Sequence, residues 1–409
     1  MPDSSGKTVL DDLPEPVVTN EILLRLSAED IVRCRAVRKS WRHDTSTQEF
    51  LVAHRLRQRS LPLIKIASLE DEIYDRHMVV FSGADDGCRP VLTLPDSHRD
   101  DIDDAFLIHA ACDGLFVVSF HGHEMVMDIC NPATRRRAPL PLIPHVVEPM
   151  QSSFWDPIIQ IGIAGFYRHC PTQEYRLVYW TREWEEEGSE FYTEAFYVFA
   201  VGSENEPRPI PEPPLLQHAV MDQLVCHQNA PTLHRGRLHW ELGRQYYPIT
   251  GIMVFDTTAE TFRWMCRPAW ILPWAWTALF EMGDSLAMSG SLDGTIVNIF
   301  MMTDYAAQHW TFRSRIDLSP FPRLDPLVRR ELNIAALNER ELLIEGDGAV
   351  FHYDNDGKFL RKVGCDEDED KYTMELTHYR FLENIIPFPF FEKQEDYRYN
   401  DRMTKNEDI

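Results

Sequence analysis

The sequence has no apolar run long enough to cross a bilayer. Its longest, residues 268–280, falls well short of the roughly 18 residues a span needs and contains Pro268 and Pro273, so it reads as buried core. The opening stretch, MPDSSGKTVLDDLPEP, lacks the basic and apolar regions of a secretory signal, which points to a cytoplasmic or nuclear protein. The eight cysteines are scattered singly with no CxxC, which argues against a disulfide framework and suits reduced thiols. Positive charge is also short: 41 Lys and Arg against 65 Asp and Glu leave a net −24, so nucleic acid and anionic membranes are poor partners. Neither GxSxG nor HExxH occurs, and no catalytic residue is assigned. Cys112, His121, His123 and Cys130 fit no familiar zinc spacing, so neither metal nor cofactor is expected.

What is there is a chain of 409 residues with 44% hydrophobic and 11% aromatic content, enough for a sizeable core. Its charge is uneven. Residues 20–60 hold nine basic and five acidic side chains, so a basic N-terminal module precedes a strongly acidic body. Inside the module, helix signals recur every dozen residues or so. Val17, Val18, Ile22, Leu23 and Leu26 suit one face of a helix beginning after Pro16, and Ser27 with Asp30 suits a capping box opening a second that buries Ile31, Cys34 and Val37. Ser46 with Glu49 suits a third, carrying Phe50 and Leu51. Three short helices are near the size below which a chain rarely buries enough surface alone, so the module needs a partner surface.

Past residue 60 the periodicity changes to short strand-like runs. Apolar runs begin at His77, Met125, Phe196, Ile252, Val297 and Val350, separated by roughly 45 to 70 residues, which is blade-like spacing. Several are preceded by a polar turn and a second apolar run, as in CDGLFVV, RGRLHW, GDSLAM and ERELLI, so each unit can supply three or four antiparallel strands. These patterns predict α+β by segment: a three-helix module over 10–60, then a mainly antiparallel β-propeller of about six blades over 61–391. Residues 1–9 and the polar tail 392–409 are expected to be flexible. Closure is expected from a strand near 63–67 or one near 384–387, and a pair of stacked sheets is the alternative.

Leu13-Pro14, Glu21-Ile22-Leu23, Arg25-Leu26, Val37, Lys39-Ser40-Trp41-Arg42 and Phe50 fall in the order of an F-box, with Ser27 where proline is usual and Arg38 where cysteine is usual. The body, through CDGLFVV, DICNPATRRRAPLP, GRLHW, LFEMGDSLAMSGSLDGTIVNIFMM and LTHYRFLENIIPFPFF, resembles the F-box-associated, kelch-like region of plant F-box proteins. This resemblance implies a non-catalytic substrate receptor of a ubiquitin ligase. Its helices would dock a Skp-type adaptor, and through it a cullin-RING scaffold, while the β-body holds a target protein. Adaptor contacts would come from Leu13, Pro14, Ile22, Leu23 and Leu26, and also from Val37 and Trp41, which are expected mainly in the helix core. Glu183, Glu185, Glu186, Glu187 and Glu190 form an acidic connection that could steer a basic target segment. Trp264, Trp270, Trp274 and Trp276 are better placed in blade cores than at a binding mouth. A scaffold working outside a ligase and a propeller enzyme remain as other readings.

Overall fold

The computed structural model describes residues 13–68, 76–83, 87–93, 107–119, 127–140, 159–184, 192–203, 205–211, 230–242, 251–272, 275–292, 294–318, 333–346, 348–364 and 372–391. Six four-stranded antiparallel sheets account for every strand in them. Blade one combines both ends of the body: β24 (Tyr372–Phe381) pairs with β1 (Leu61–Ser68), followed by β2 (Arg76–Phe81) and β3 (Cys88–Thr93). Blade two is β4 (Leu107–Cys112), β5 (Leu115–Ser119), β6 (Met127–Asn131) and β7 (Arg136–Pro139). Blade three is β8 (Ile159–Arg168), β9 (Tyr175–Trp184), β10 (Tyr192–Ala200) and β11 (Arg208–Ile210). Blade four follows with β12 (Thr232–His234), β13 (Arg237–Leu242), β14 (Gly251–Asp256) and β15 (Thr261–Met265). Blade five holds β16 (Trp276–Met282), β17 (Ser285–Ser291), β18 (Ile296–Asp304) and β19 (His309–Asp317). Blade six holds β20 (Ile334–Ala336), β21 (Glu341–Gly346), β22 (Ala349–Asp354) and β23 (Phe359–Lys362).

The sheets form a ring because their first strands lie beside one another, β4 with β8, β12 with β16, β16 with β20, β20 with β24, and β24 with β4. Blades three and four are joined by the indole of Trp240, which donates to Ala164 O at 3.2 Å. The body is therefore a six-bladed β-propeller, and the two-sheet alternative is excluded. The six apolar runs picked out by spacing are the third strands β2, β6, β10, β14, β18 and β22, each a run bounded by turns and packed on both faces.

Of the two segments expected to complete a blade, the strand near 63–67 does so as β1, and the segment near 384–387 does not. The closing pair is β24 on β1, with Ile64 opposite Leu376 and Ile66 opposite Met374. Residues 382–388 form no strand. Pro387 and Pro389 have no N–H to give a ladder, so this apolar stretch packs through side chains instead. At Gly114 (φ 82°) a Cβ would meet Leu382 O at 2.1 Å, so the β4–β5 turn accepts the C-terminal segment only as glycine.

In each blade the first-to-second and third-to-fourth turns open on one side of the ring, and the remaining connections on the other. In blade one the first-to-second position is occupied by the chain itself: β24 leaves it and β1 enters it from the helices. The helical module therefore sits on the turn side. Its elements are α1 (Glu15–Val17), a π-turn over Val18–Ile22, a 3-10 turn over Leu23–Arg25, α2 (Ala28–Val37), α3 (Lys39–Asp44) and α4 (Gln48–Arg57). The expected three helices are not what forms. The first is broken into turns, α3 is additional, and α4 is capped by Thr47, whose side chain accepts from Phe50 N, and not by Ser46. Ser27 caps α2 as its spacing implied. Among the described residues, no helix is long and apolar enough to cross a membrane.

Candidate protein interface

Val18, Leu23, Leu24, Ala28, Ile31, Trp41, Phe50 and Leu51 bury one side of the module, and the cluster is completed by Ile385 of the C-terminal segment. Polar contacts fix the same side to the propeller. Ala28 N, at the start of α2, donates to Glu383 Oε2 at 2.5 Å, so a body carboxylate satisfies a donor the helix leaves open and meets the positive end of its dipole. Glu383 also pairs with Arg89 at 2.5 Å, Arg135 with Glu29 at 2.9 Å, and Arg55 with Asp113. Asn384 donates to Asp113 O at 2.8 Å and accepts at its own carbonyl from Asn131 Nδ2 at 2.9 Å. A groove of about 470 Å³ runs along this seam, and Arg89, Arg135 and Arg137 on its wall are each answered by a carboxylate, the last by Asp128.

Away from that cluster the module exposes aliphatic side chains among charged ones. Leu13, Val17, Val32, Val37, Val52 and Leu56 project from it, Val37 at 73% and Leu56 at 80% exposure. Glu15 draws the first segment onto the α2–α3 junction by accepting from Ser40 Oγ at 3.2 Å and pairing with Arg38 at 3.6 Å, so Leu13 and Val17 share the region of Val37. Arg38 also lies 5.0 Å over the Trp41 ring.

The sequence-derived adaptor residues therefore divide. Leu13 and Pro14 are exposed and Ile22 and Leu26 half-buried, whereas Leu23 is only 2% exposed and belongs to the core. Val37 moves the other way, because α2 ends at Arg38 and leaves it facing solvent. Trp41 is buried, as assigned. Val17 joins the exposed set, while Val18 and Leu23, expected on the same helix face, are buried. The partner surface demanded by the module's small size is in part its own body.

Glu183 is exposed near the end of β9, on the side of the ring away from the helices. Glu185, Glu186, Glu187 and Glu190 lie outside the described residues. Trp264 and Trp276 are partly buried against blade cores, Trp270 is exposed, and Trp274 lies outside the described residues. Cys112 and Cys130 are buried, and His121 and His123 lie outside the described residues; among those described, no group of three metal-ligating side chains assembles. On the axis side of the ring, His234 Nδ1 meets Glu281 at 2.9 Å, and Arg380, whose pKa burial lowers to about 10 against the opposing pull of Glu281, donates to Ala336 O at 2.7 Å.

No family model and no curated protein matches the chain. Among solved structures it is similar to apo AztD from Citrobacter koseri, at 9% identity over 75% of this chain and 82% of that one, with a TM-score of 0.33. It is also similar to the SapL1 lectin in complex with alpha methyl fucoside, at 9% identity over 74% and 95%, TM-score 0.34. A third is Hsv2 of Kluyvelomyces marxianus, at 11% identity over 80% and 100%, TM-score 0.30. The assignment to the propeller class rests on the sheet topology.

Proposed function

We propose that this chain is a protein-interaction propeller acting as the substrate receptor of a ubiquitin ligase. Its helices dock a Skp-type adaptor of a cullin-RING assembly, and its propeller holds the target. The observation that carries the reading is the two-sidedness of the module: one side is locked to the body, while Leu13, Val17 and Val37 are exposed beside the charged residues Glu15 and Arg38. Clustered exposed aliphatic groups mark protein contact surfaces. The order of F-box residues from Leu13 to Phe50 supports the adaptor as occupant. The receptor itself reacts with nothing, since it accelerates ubiquitin transfer by raising the effective concentration of target lysines near the charged enzyme.

Co-purification of the full chain with a Skp-type adaptor tests this, using Val17→Asp with Val37→Asp. Both positions are exposed, so thermal unfolding should be unchanged while adaptor affinity falls at least tenfold, about 1.4 kcal/mol. Unchanged affinity would refute docking through this surface. Leu23→Ala is unsuitable as a binding probe because it opens a cavity in the module core.

A further inference from the structure

Three arginines converge on one tyrosine where blade five meets blade four. Tyr305, in the β18–β19 turn, has the guanidinium carbons of Arg235, Arg237 and Arg263 at 6.0, 5.7 and 5.6 Å from its ring centre. The tyrosine is held from behind. His239 Nδ1 lies 3.1 Å from Thr232 O, and a carbonyl only accepts, so that nitrogen carries the proton. His239 Nε2, 2.7 Å from the Tyr305 hydroxyl, therefore accepts from it. The hydroxyl oxygen in turn accepts from Arg263 Nη2 at 3.1 Å. Every proton in this relay points inward, and the guanidinium groups of Arg235, Arg237 and Arg263 border the Tyr305 ring.

The charges do not balance. Arg237 is paired with Asp256 at 2.9 Å. Asp256 also accepts from Thr258 N and Ala259 N, Glu281 is engaged with His234, and Asp304 caps its own turn at Ala307 N. Arg235 and Arg263 have no carboxylate partner among the described residues, in a chain with 65 acidic side chains and in contrast to the arginines of the helix seam. Arg235 also holds a left-handed backbone, φ 49°, before Gly236, in a turn where Asn or Asp is the favoured residue. Placing Arg there costs conformational energy and holds an exposed cation over Tyr305.

We propose that this notch binds a phosphomonoester carried on a protein segment. A phosphomonoester carries about −1.5 to −2 near neutral pH, which matches two unanswered arginines better than a carboxylate does. Planar guanidinium forks also suit its oxygens. The notch lies at an exposed turn, where a small ligand would bury too little of itself, so neighbouring contacts from a longer chain must supply the rest of the affinity. Blades four and five lie across the ring from the helices, which touch blades one and two, and the notch opens on the same side. The proposal rests on the propeller being the part that holds the target. It does not need the adaptor.

The test uses the full chain without adaptor and two fluorescent peptide pools, random in sequence around a central phosphoserine or around serine, followed by anisotropy. The phosphoserine pool should bind at least tenfold more tightly, and millimolar inorganic phosphate should displace it. Arg235→Gln with Arg263→Gln should abolish the preference, while Arg313→Gln with Arg315→Gln, which removes the same charge from exposed positions on β19, should keep it. Equal binding of the two pools, a preference that survives Arg235→Gln with Arg263→Gln, or one lost equally in the β19 control overturns the proposal. So does stabilisation by inorganic phosphate without peptide binding, since that removes the protein carrier. Should the double glutamine variant fail to fold, phosphate competition on the wild type decides: failure to displace the pool refutes the site. Adaptor binding measured on the same wild-type sample separates failure of this site from failure of the ligase reading.

Discussion

Glu260 sits at the tip of the β14–β15 turn with a left-handed backbone, φ 53°, and its carboxylate reaches into blade three. Tyr167 donates to it at 2.6 Å, Arg176 at 2.6 Å, and Arg208 pairs with its second oxygen. Burial alone would raise its pKa, but the hydrogen bonds from Tyr167 and Arg176 and the two guanidinium charges outweigh it and hold the carboxyl below its usual range. Its contribution is therefore present above the unfolded carboxylate pKa and lost as pH falls through the folded one. Glu260→Gln should destabilise the propeller by about 2 kcal/mol, because it removes the buried carboxylate that Arg176 and Arg208 share and leaves Arg176 only the exposed Glu174. The check is denaturant unfolding at neutral pH, and a loss below half that size would mean solvent already screens the group. His239 acts in the same direction for a different reason, since burial itself lowers its pKa. Burial pushes its pKa down to about 4, while the unfolded imidazole titrates near 6.5. Between those values the unfolded chain binds the additional proton, so stability falls with falling pH, by about 3 kcal/mol across the window. His239→Asn should flatten that limb of a stability–pH curve. An unchanged slope would show that other groups set it.

Among the elements, the broken first helix shows which force decided. Val17, Val18 and Thr19 are consecutive β-branched residues with weak helix preference. A regular helix would also turn the adjacent Leu23 and Leu24 to different directions, yet both are buried. The shift from a π-turn to a 3-10 turn re-phases the chain so that both face the core, and Thr19 Oγ1 donates to Asp44 at 3.2 Å to tie it to α3. The third strands of the blades were legible because their apolar runs are bounded by turns. First strands such as Thr232–His234 and Ile334–Ala336 were not, since three residues carry no period. Leu23 was misplaced for a related reason: the cluster that buries it is completed by Ile385, more than 350 residues away, and no local pattern announces it. The Tyr305 notch was equally invisible, because its arginines and Tyr305 belong to different blades. Ile385→Ala should loosen the module by about 2 to 4 kcal/mol, the cost of a buried aliphatic truncation. Limited proteolysis should then cut near residues 58–60 faster than in the wild type, with the propeller fragment surviving. Unaltered cleavage would mean that the polar seam through Glu383 and Asp113 suffices.

For the whole molecule, stability depends on a ring in which each blade packs against two others, so opening one joint exposes two inter-blade faces. Deleting residues 372–409 removes β24 and leaves β1 with an unpaired edge and the Leu63, Ile64 and Ile66 cluster uncovered. Such a chain should lose the single cooperative transition of the intact protein and aggregate, as read by calorimetry and light scattering. A sharp transition at the same temperature would mean that five blades hold without the sixth. The pairing of β1 with β24 also has a consequence in time. A ribosome makes β1 well before β24, with roughly 300 residues between them, and at about 5 to 20 residues per second the first strand waits on the order of 15 to 60 seconds for its partner. Through that interval the nascent chain carries an open hydrogen-bonding edge beside helices whose partners Ile385 and Glu383 have not yet been translated, an edge free to pair wrongly until β24 arrives.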